Sequence, residues 1–247
     1  MFDWTAHTKD PTDTATSMKF HDFLQSLLRF YHTNRTEFLK NYVKDKRLLD
    51  IGAGEHDIAF YSEDKWEHGQ LCKVASYAMA AEIHQELCDH YNAKGFNFTC
   101  VDATSGKDLG ERFERVFIGD VIEHVDNPIL LLQFASRHLQ DSSGRILVST
   151  PNPFALSWLF ARFKKSFFRP FYIANFEHMS WISPTNANEI ARRAGLDLVA
   201  IYMPKPTLAH ARKFKDYSKV VTNGLLEKLG MLELAHKEYI YEFAPRD

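Results

Sequence analysis

The chain of 247 residues carries 30 Lys and Arg against 32 Asp and Glu, a net charge of -2 with histidine neutral, which excludes a globally basic nucleic-acid-binding surface. Hydrophobic residues at 45% and charged residues at 25% exclude a disordered chain, and three scattered cysteines, Cys72, Cys88 and Cys100, with no CxxC exclude a disulfide scaffold and a zinc ribbon. The opening MFDWTAHTKDPTDT has acidic residues and no apolar core, and no run of 18 apolar residues occurs, so a soluble cytoplasmic protein without a signal peptide is expected.

From about Ser17 to Lys40 the residues Phe20, Phe23, Leu24, Leu27, Leu28 and Tyr31 recur at three and four, which predicts an amphipathic helical cap over residues 1–44. The period then changes. Leu48, Leu49 and Ile51 form a short buried run that stops at Gly52-Ala53-Gly54, as a parallel strand ends in a tight turn. A strand over Leu71 to Ser76, a helix carrying Met79, Ile83, Leu87 and Tyr91, and a strand from Phe96 to Val101 follow. Next come a strand from Arg115 to Ile118, a helix after Asn127-Pro128 with Leu131, Phe134, Ala135 and Leu139 on one face, and a strand from Arg145 to Ser149. Ser183-Pro184-Thr185 reads as a helix start and Gly195 as its stop. Leu196 to Met203 reads as a strand, a basic helical connector follows, and Glu238 to Phe243 alternates as a last strand. Strands alternating with helices predict a doubly wound, mostly parallel, seven-stranded Rossmann-like α/β sheet with helices on both faces. Its domain would span 45–247, interrupted by a helical lid insertion at about 153–180. The last strand, reached by a long excursion, suits antiparallel insertion at an edge or between neighbours.

Ligands of open parallel sheets bind beyond the carboxyl ends of the strands. The polar residues expected there are Asp50 with Gly52 and Gly54, Ser76, Asp102, Asp120 with Glu123 and His124, and Thr150 with Asn152. A dinucleotide fingerprint would need glycine at position 57, where Asp57 stands, and Glu55 and Asp57 crowd the helix start with anions, so a diphosphate cofactor is disfavoured. No HExxH and no Asp-Asp-Asn cluster occurs, and the histidines show no ligand spacing, so no metal is expected.

The segments LLDIGAG (48–54), VDAT (101–104), FIGDVIEHVDNP (117–128), GRILVSTPNP (144–153) and HMSWISP (178–184) together resemble the class I S-adenosylmethionine-dependent methyltransferases. Glu123-His124 followed by a proline, and the later TPNP, resemble the branch of ubiquinone-type O-methyltransferases and glycan- and natural-product-modifying enzymes. The resemblance implies S-adenosyl-L-methionine as cofactor, with Asp50, Gly52 and Gly54 along its methionine portion. It implies that Asp102 and Ala103 meet the adenine, Asp102 accepting from the exocyclic amine, and that Asp120 lies at the methionine amino end, facing the acceptor. Two positions depart from the family pattern: His56 replaces the third glycine of the first motif, and the expected second strand ends without an acid. The ribose would then fall to Ser76, or to Glu82 further along.

A sulfonium methyl is already electrophilic, so the protein must align a nucleophile and exclude water, and a base is needed where the acceptor is a hydroxyl or a protonated amine. His124 is the catalytic candidate, with Glu123, Asn152 and His178 on the acceptor side; the competing reading makes His124 structural, its tautomer fixed by Glu123. The expected reaction is methyl transfer to a hydroxyl of a small-molecule, sugar or lipid- or nucleotide-linked acceptor. The alternative is a non-catalytic binding or partner subunit, suggested by His56 and the missing acid. The stretch 153–173, PFALSWLFARFKKSFFRPFYI, holds six of the 20 phenylalanines with Arg162, Lys164, Lys165 and Arg169 and no acid. It reads as a lid meeting an anionic acceptor, as a peripheral membrane contact, or as a helix packed on the core.

Overall fold

The computed structural model describes residues 1–54, 65–156, 175–205 and 214–246. Helix α1 (Thr14–Leu27) leads into β1 (Leu28–Tyr31), α2 (Arg35–Val43) and β2 (Arg47–Ile51). Then come α3 (Glu67–Cys72), β3 (Tyr77–Glu82), α4 (Gln85–Ala93), β4 (Phe98–Cys100) and β5 (Arg115–Gly119). The described chain continues with α5 (Pro128–Arg137), β6 (Arg145–Pro151), α6 (Pro184–Ala194), β7 (Leu196–Pro204), α7 (Phe214–Lys228), α8 (Leu232–Ala235) and β8 (Glu238–Pro245).

The eight strands form one sheet in the order β1-β7-β8-β6-β5-β2-β3-β4. All pairings are parallel except those of β8, which runs antiparallel between β6 and β7. Successive side chains of a strand point to opposite faces, and the two faces are filled separately. Leu49, Val116 and Ile146 pack with Leu131, Phe134 and Ala135 of α5, whereas Leu48, Phe117 and Leu147 pack with Leu39 and Val43 of α2. Central strands covered on both faces therefore read as unbroken apolar runs.

Local chemistry sets the helix ends. Asn127 Oδ1 accepts from the amides of Ile129 and Leu130 with Pro128 in the first turn of α5. Ser183 and Asn186 form a capping box at α6, and Gly195 closes it in the left-handed region at φ 79°. From β2 the chain builds outward through β3 and β4, then returns to place β5 on the other side of β2. That reversal opens a crevice at the carboxyl ends of β2 and β5.

Three expectations need correction. The predicted helix from Ser17 to Lys40 is broken by β1, an eighth strand paired in parallel with β7 at the sheet edge. Its residues Leu-Arg-Phe-Tyr fit either period, and sheet pairing decides. The strand predicted at Leu71 to Ser76 is instead the end of α3 and a turn; the strand is Tyr77–Glu82 and the helix starts only at Gln85. Ser76 consequently sits before β3, its amide donating to Lys46 O at 3.0 Å, at the end of the sheet away from the crevice. The lid reading falls mostly on 157–174, and His56 on 55–64, outside the described residues. No described helix is long and apolar enough to cross a membrane.

Candidate active site

The end of β2 approaches its neighbours closely. Gly52 has φ +74°, and a Cβ there would overlap the side chain of Val121; a Cβ on Gly54 would lie 2.7 Å from Leu87 Cδ1 and 2.9 Å from Glu82 Oε2. Glycine meets both demands, a positive φ and the missing side chain. Glu82, 5% exposed, ends β3 beside this turn. Its Oε1 accepts from the amides of Ile83 (2.9 Å) and His84 (3.1 Å), and Oε2 from Gly54 N at 3.2 Å. Three backbone donors fix the carboxylate at the crevice wall.

Asp102, after β4, is exposed, and its Oδ1 accepts from Thr104 N and Thr104 Oγ1, both at 2.7 Å. Asp120, after β5, adopts φ 52°, a left-handed conformation that Asp tolerates and that recurs where a site demands it. Gly52, Gly54, Glu82, Asp102, Asp120 and His124 all line one cavity of about 410 Å³, the size of a small-molecule site.

Arg35, just past the Asn34 cap of α2, organises the floor. Its guanidinium donates to Asp120 Oδ2 (2.8 Å), Glu67 Oε2 (3.0 Å), Glu238 Oε2 (3.1 Å) and Ser149 Oγ (3.0 Å). Burial raises the Glu67 carboxyl to about 7 against the pull of Arg35. Among the described residues the cavity lining holds five carboxyl groups, Asp50, Glu67, Glu82, Asp102 and Asp120, against the guanidinium of Arg35 and the imidazole of His68, so acid predominates and a cationic ligand is favoured.

Asp50, 3% exposed, lies 2.8 Å from Nδ1 of the buried His68. Burial opposes charge on His68, but hydrogen bonds to Asp50 and Cys72 outweigh it and raise the imidazole to about 9. A raised histidine pKa adds stability that is complete below the unfolded value of about 6.5 and is lost as the pH climbs toward 9, here on the order of 3 kcal/mol. Urea unfolding at pH 6.5 and pH 9 should show that loss, and equal stability at both would remove the ion pair.

Beyond Asp120, Glu123 and His124 meet a segment from far along the chain. The amides of Met179 and Ser180 donate to Glu123 O at 2.8 and 3.2 Å, which carries His178 to the site. The rings of His124 and His178 meet edge to face with centroids 4.8 Å apart. Glu123 is 1% exposed; its Oε2 accepts from Thr150 Oγ1 at 3.1 Å, while Oε1 has no hydrogen-bond partner among the described residues. Burial raises this carboxyl to about 7, and burial with the neighbouring His124 lowers His178. His178 Nδ1 is likewise buried and unpartnered among the described residues, and each such group costs about 1–3 kcal/mol.

The structure thus gathers Asp50, Gly52, Gly54, Asp102, Ala103, Asp120 and His124 around one cavity, with Glu123 and His178 against His124. Ser76 stands apart from it. Asn152 does not face the crevice either: it is fully buried, with Nδ2 donating to the carbonyls of Glu233 (2.6 Å) and His236 (2.7 Å) and Oδ1 accepting from Phe154 N (2.9 Å). The long excursion before β8 packs there and uses the amide that the turn leaves pointing inward. Sequence reasoning missed Arg35 and Glu67, which no local motif marks, and gave Glu82 only a secondary place. An acid closing the apolar run Ala78-Met79-Ala80-Ala81 was the available signal for Glu82.

A mostly parallel sheet with an acidic cavity at its switch point is the arrangement of an α/β protein with a small-molecule site. Residues 20–201 match the family model described as a methyltransferase domain, and the chain belongs to that family. The fold is that of the class I S-adenosylmethionine-dependent methyltransferases. A SAM-dependent methyltransferase from Archaeoglobus fulgidus superposes with a TM-score of 0.54 at 19% identity, over 92% of this chain and 99% of the other. Phosphoethanolamine N-methyltransferase 2 of Haemonchus contortus, solved with S-adenosyl-L-methionine, gives 0.50 at 14% identity over 87% of this chain and 53% of its own. In sequence, (S)-coclaurine N-methyltransferase of Papaver somniferum is 28% identical over 100 residues, 40% of this chain and 28% of that relative's length.

Proposed function

We propose that this chain transfers a methyl group from S-adenosylmethionine to a hydroxyl of a small-molecule, sugar or lipid- or nucleotide-linked acceptor. The observation that carries the cofactor assignment is the carboxyl-rich cavity lined by Gly52 and Gly54, where the chain turns too closely against its neighbours for any side chain. S-adenosylmethionine bears a sulfonium and an ammonium, which suit that charge, and it supplies a methyl already activated for transfer. Glu82, fixed by three amides, is placed to accept from the ribose hydroxyls. Asp102 faces the adenine amine with its second oxygen, and Asp50, Gly52, Gly54 and Asp120 surround the methionine end. Arg35 positions Asp120.

A hydroxyl must lose its proton to become a good nucleophile, whereas a neutral amine need not. The grouping of Glu123, His124 and His178 beside Asp120 supports the hydroxyl reading, with His124 as the acceptor-activating residue. An amine acceptor is the second reading, favoured by the N-methyltransferases among the similar proteins. Calorimetry should show S-adenosylhomocysteine binding at micromolar Kd or tighter and no NAD binding, and labelled methyl should pass to hydroxyl members of an acceptor panel. Absence of S-adenosylhomocysteine binding overturns the cofactor assignment; transfer to amines alone replaces the acceptor.

A further inference from the structure

We infer that Glu123, His124 and His178 form a binding site for a divalent transition-metal cation of the zinc type, open toward the cavity. One ligand atom from each of the three lies within 4.8 Å of the others. The sequence gives no hint of it, because His178 reaches the other two only through the amides of Met179 and Ser180 on Glu123 O.

Two observations point independently to a missing ligand. Glu123 Oε1 and His178 Nδ1 are each buried without partners among the described residues, and the two residues that carry them group with His124. The other carboxylate oxygen is held by the fully buried Thr150 hydroxyl, the kind of outer support that orients a metal-ligating carboxylate. A cation would engage the two unpartnered groups and His124 at once.

The donor set selects the ion class. One carboxylate oxygen and two imidazole nitrogens suit zinc and its neighbours, whereas magnesium and calcium prefer oxygen alone. Ligand atoms about 2.1 Å from an ion stand about 3 to 3.5 Å apart, a closure that rotation of the two half-buried imidazoles supplies. Three protein ligands leave a coordination position, as in catalytic zinc sites. His124 lines the cavity, so that position faces it. This last step rests on the acceptor reading above: an acceptor oxygen bound there would be held and made more acidic, its proton passing to water. His124 then activates the acceptor as a ligand of the ion and not as a free base.

The test is calorimetric titration of the whole chain with Zn²⁺, paired with Co²⁺ absorption and with S-adenosylhomocysteine binding on the same preparations. One Zn²⁺ per chain is expected at micromolar Kd or tighter, with the Co²⁺ spectrum free of thiolate charge transfer. His178→Ala and Glu123→Gln should each weaken Zn²⁺ by about a hundredfold or more and leave the S-adenosylhomocysteine Kd within about threefold of wild type, since neither residue lines the cofactor side. If Glu123→Gln fails to fold, His178→Ala, at a half-buried position, decides the matter alone. No stoichiometric Zn²⁺ site in the wild type, or unchanged Zn²⁺ affinity in His178→Ala, overturns the inference. S-adenosylhomocysteine binding without a Zn²⁺ site removes the cation and leaves methyl transfer standing; a Zn²⁺ site without S-adenosylhomocysteine binding does the reverse.

Discussion

Glu82→Ala should weaken S-adenosylhomocysteine binding by about 10² to 10³. Two hydrogen bonds from ribose hydroxyls to a carboxylate contribute about 3 to 4 kcal/mol together, and that energy converts to this range of Kd. The geometry favours the upper part of it, because the amides of Ile83, His84 and Gly54 hold the carboxylate before any ligand arrives, so little ordering is left to binding. The same amides lose their acceptor in the alanine variant, which should lower the melting temperature as well. Glu82→Gln separates the two effects, since it keeps the shape and one acceptor oxygen. It should retain most of the stability and still lose at least about tenfold in affinity. Ser76→Ala, at the far end of the sheet, should bind like the wild type. Wild-type affinity in Glu82→Gln would take the ribose away from this residue.

Glu82 also shows where the sequence was legible and where it was not. Caps and stops are local chemistry, so Asn127-Pro128 and the pair Ser183 and Gly195 marked α5 and α6 correctly. Strands β2, β5, β6, β7 and β8 were bounded well because glycines, prolines or charges interrupt their apolar runs. The stretch from Leu71 to Ile83 holds no glycine or proline, and its charges Lys73 and Glu82 stand far apart, so nothing divides α3 from β3. The strand is covered on both faces, and Met79, Ile83, Leu87 and Tyr91 fall by coincidence on a helical spacing. Shifting the strand back to Leu71–Ser76 removed the acid from its end and made the chain look deficient in a residue it possesses. At β1 a helical spacing was real as far as Leu27, and pairing with β7 then overrode it. Asn152 failed for another reason: its place after β6 was read correctly, but only the fold reveals that the segment before β8 claims its amide. His178 entered the reading by its motif, and its meeting with Glu123 is tertiary.

The second large effect concerns turnover. His124→Ala should lower kcat on the acceptor found in the panel by about 10² to 10⁴, the range associated with losing the group that manages the acceptor's proton. The Kd of S-adenosylhomocysteine should stay near that of the wild type, because Asp50, Gly52, Gly54, Glu82 and Asp102 lie at the ends of β2, β3 and β4, and of the cofactor carboxylates Asp120 alone follows β5. The companion variants give this measurement its meaning. Were His124 a base acting alone, Glu123→Gln and His178→Ala would alter its surroundings and lower kcat only modestly. Three ligands of one cation behave as a unit: each loss removes the ion, so every single variant falls by a similar factor and the triple variant falls little further. The second pattern is expected, together with loss of activity on chelation and its return with Zn²⁺. Losses that multiply across the three variants, with wild-type turnover in the presence of a chelator, would return His124 to the role of a free base. Full turnover in His124→Ala would make it a structural histidine held between Glu177 and His178.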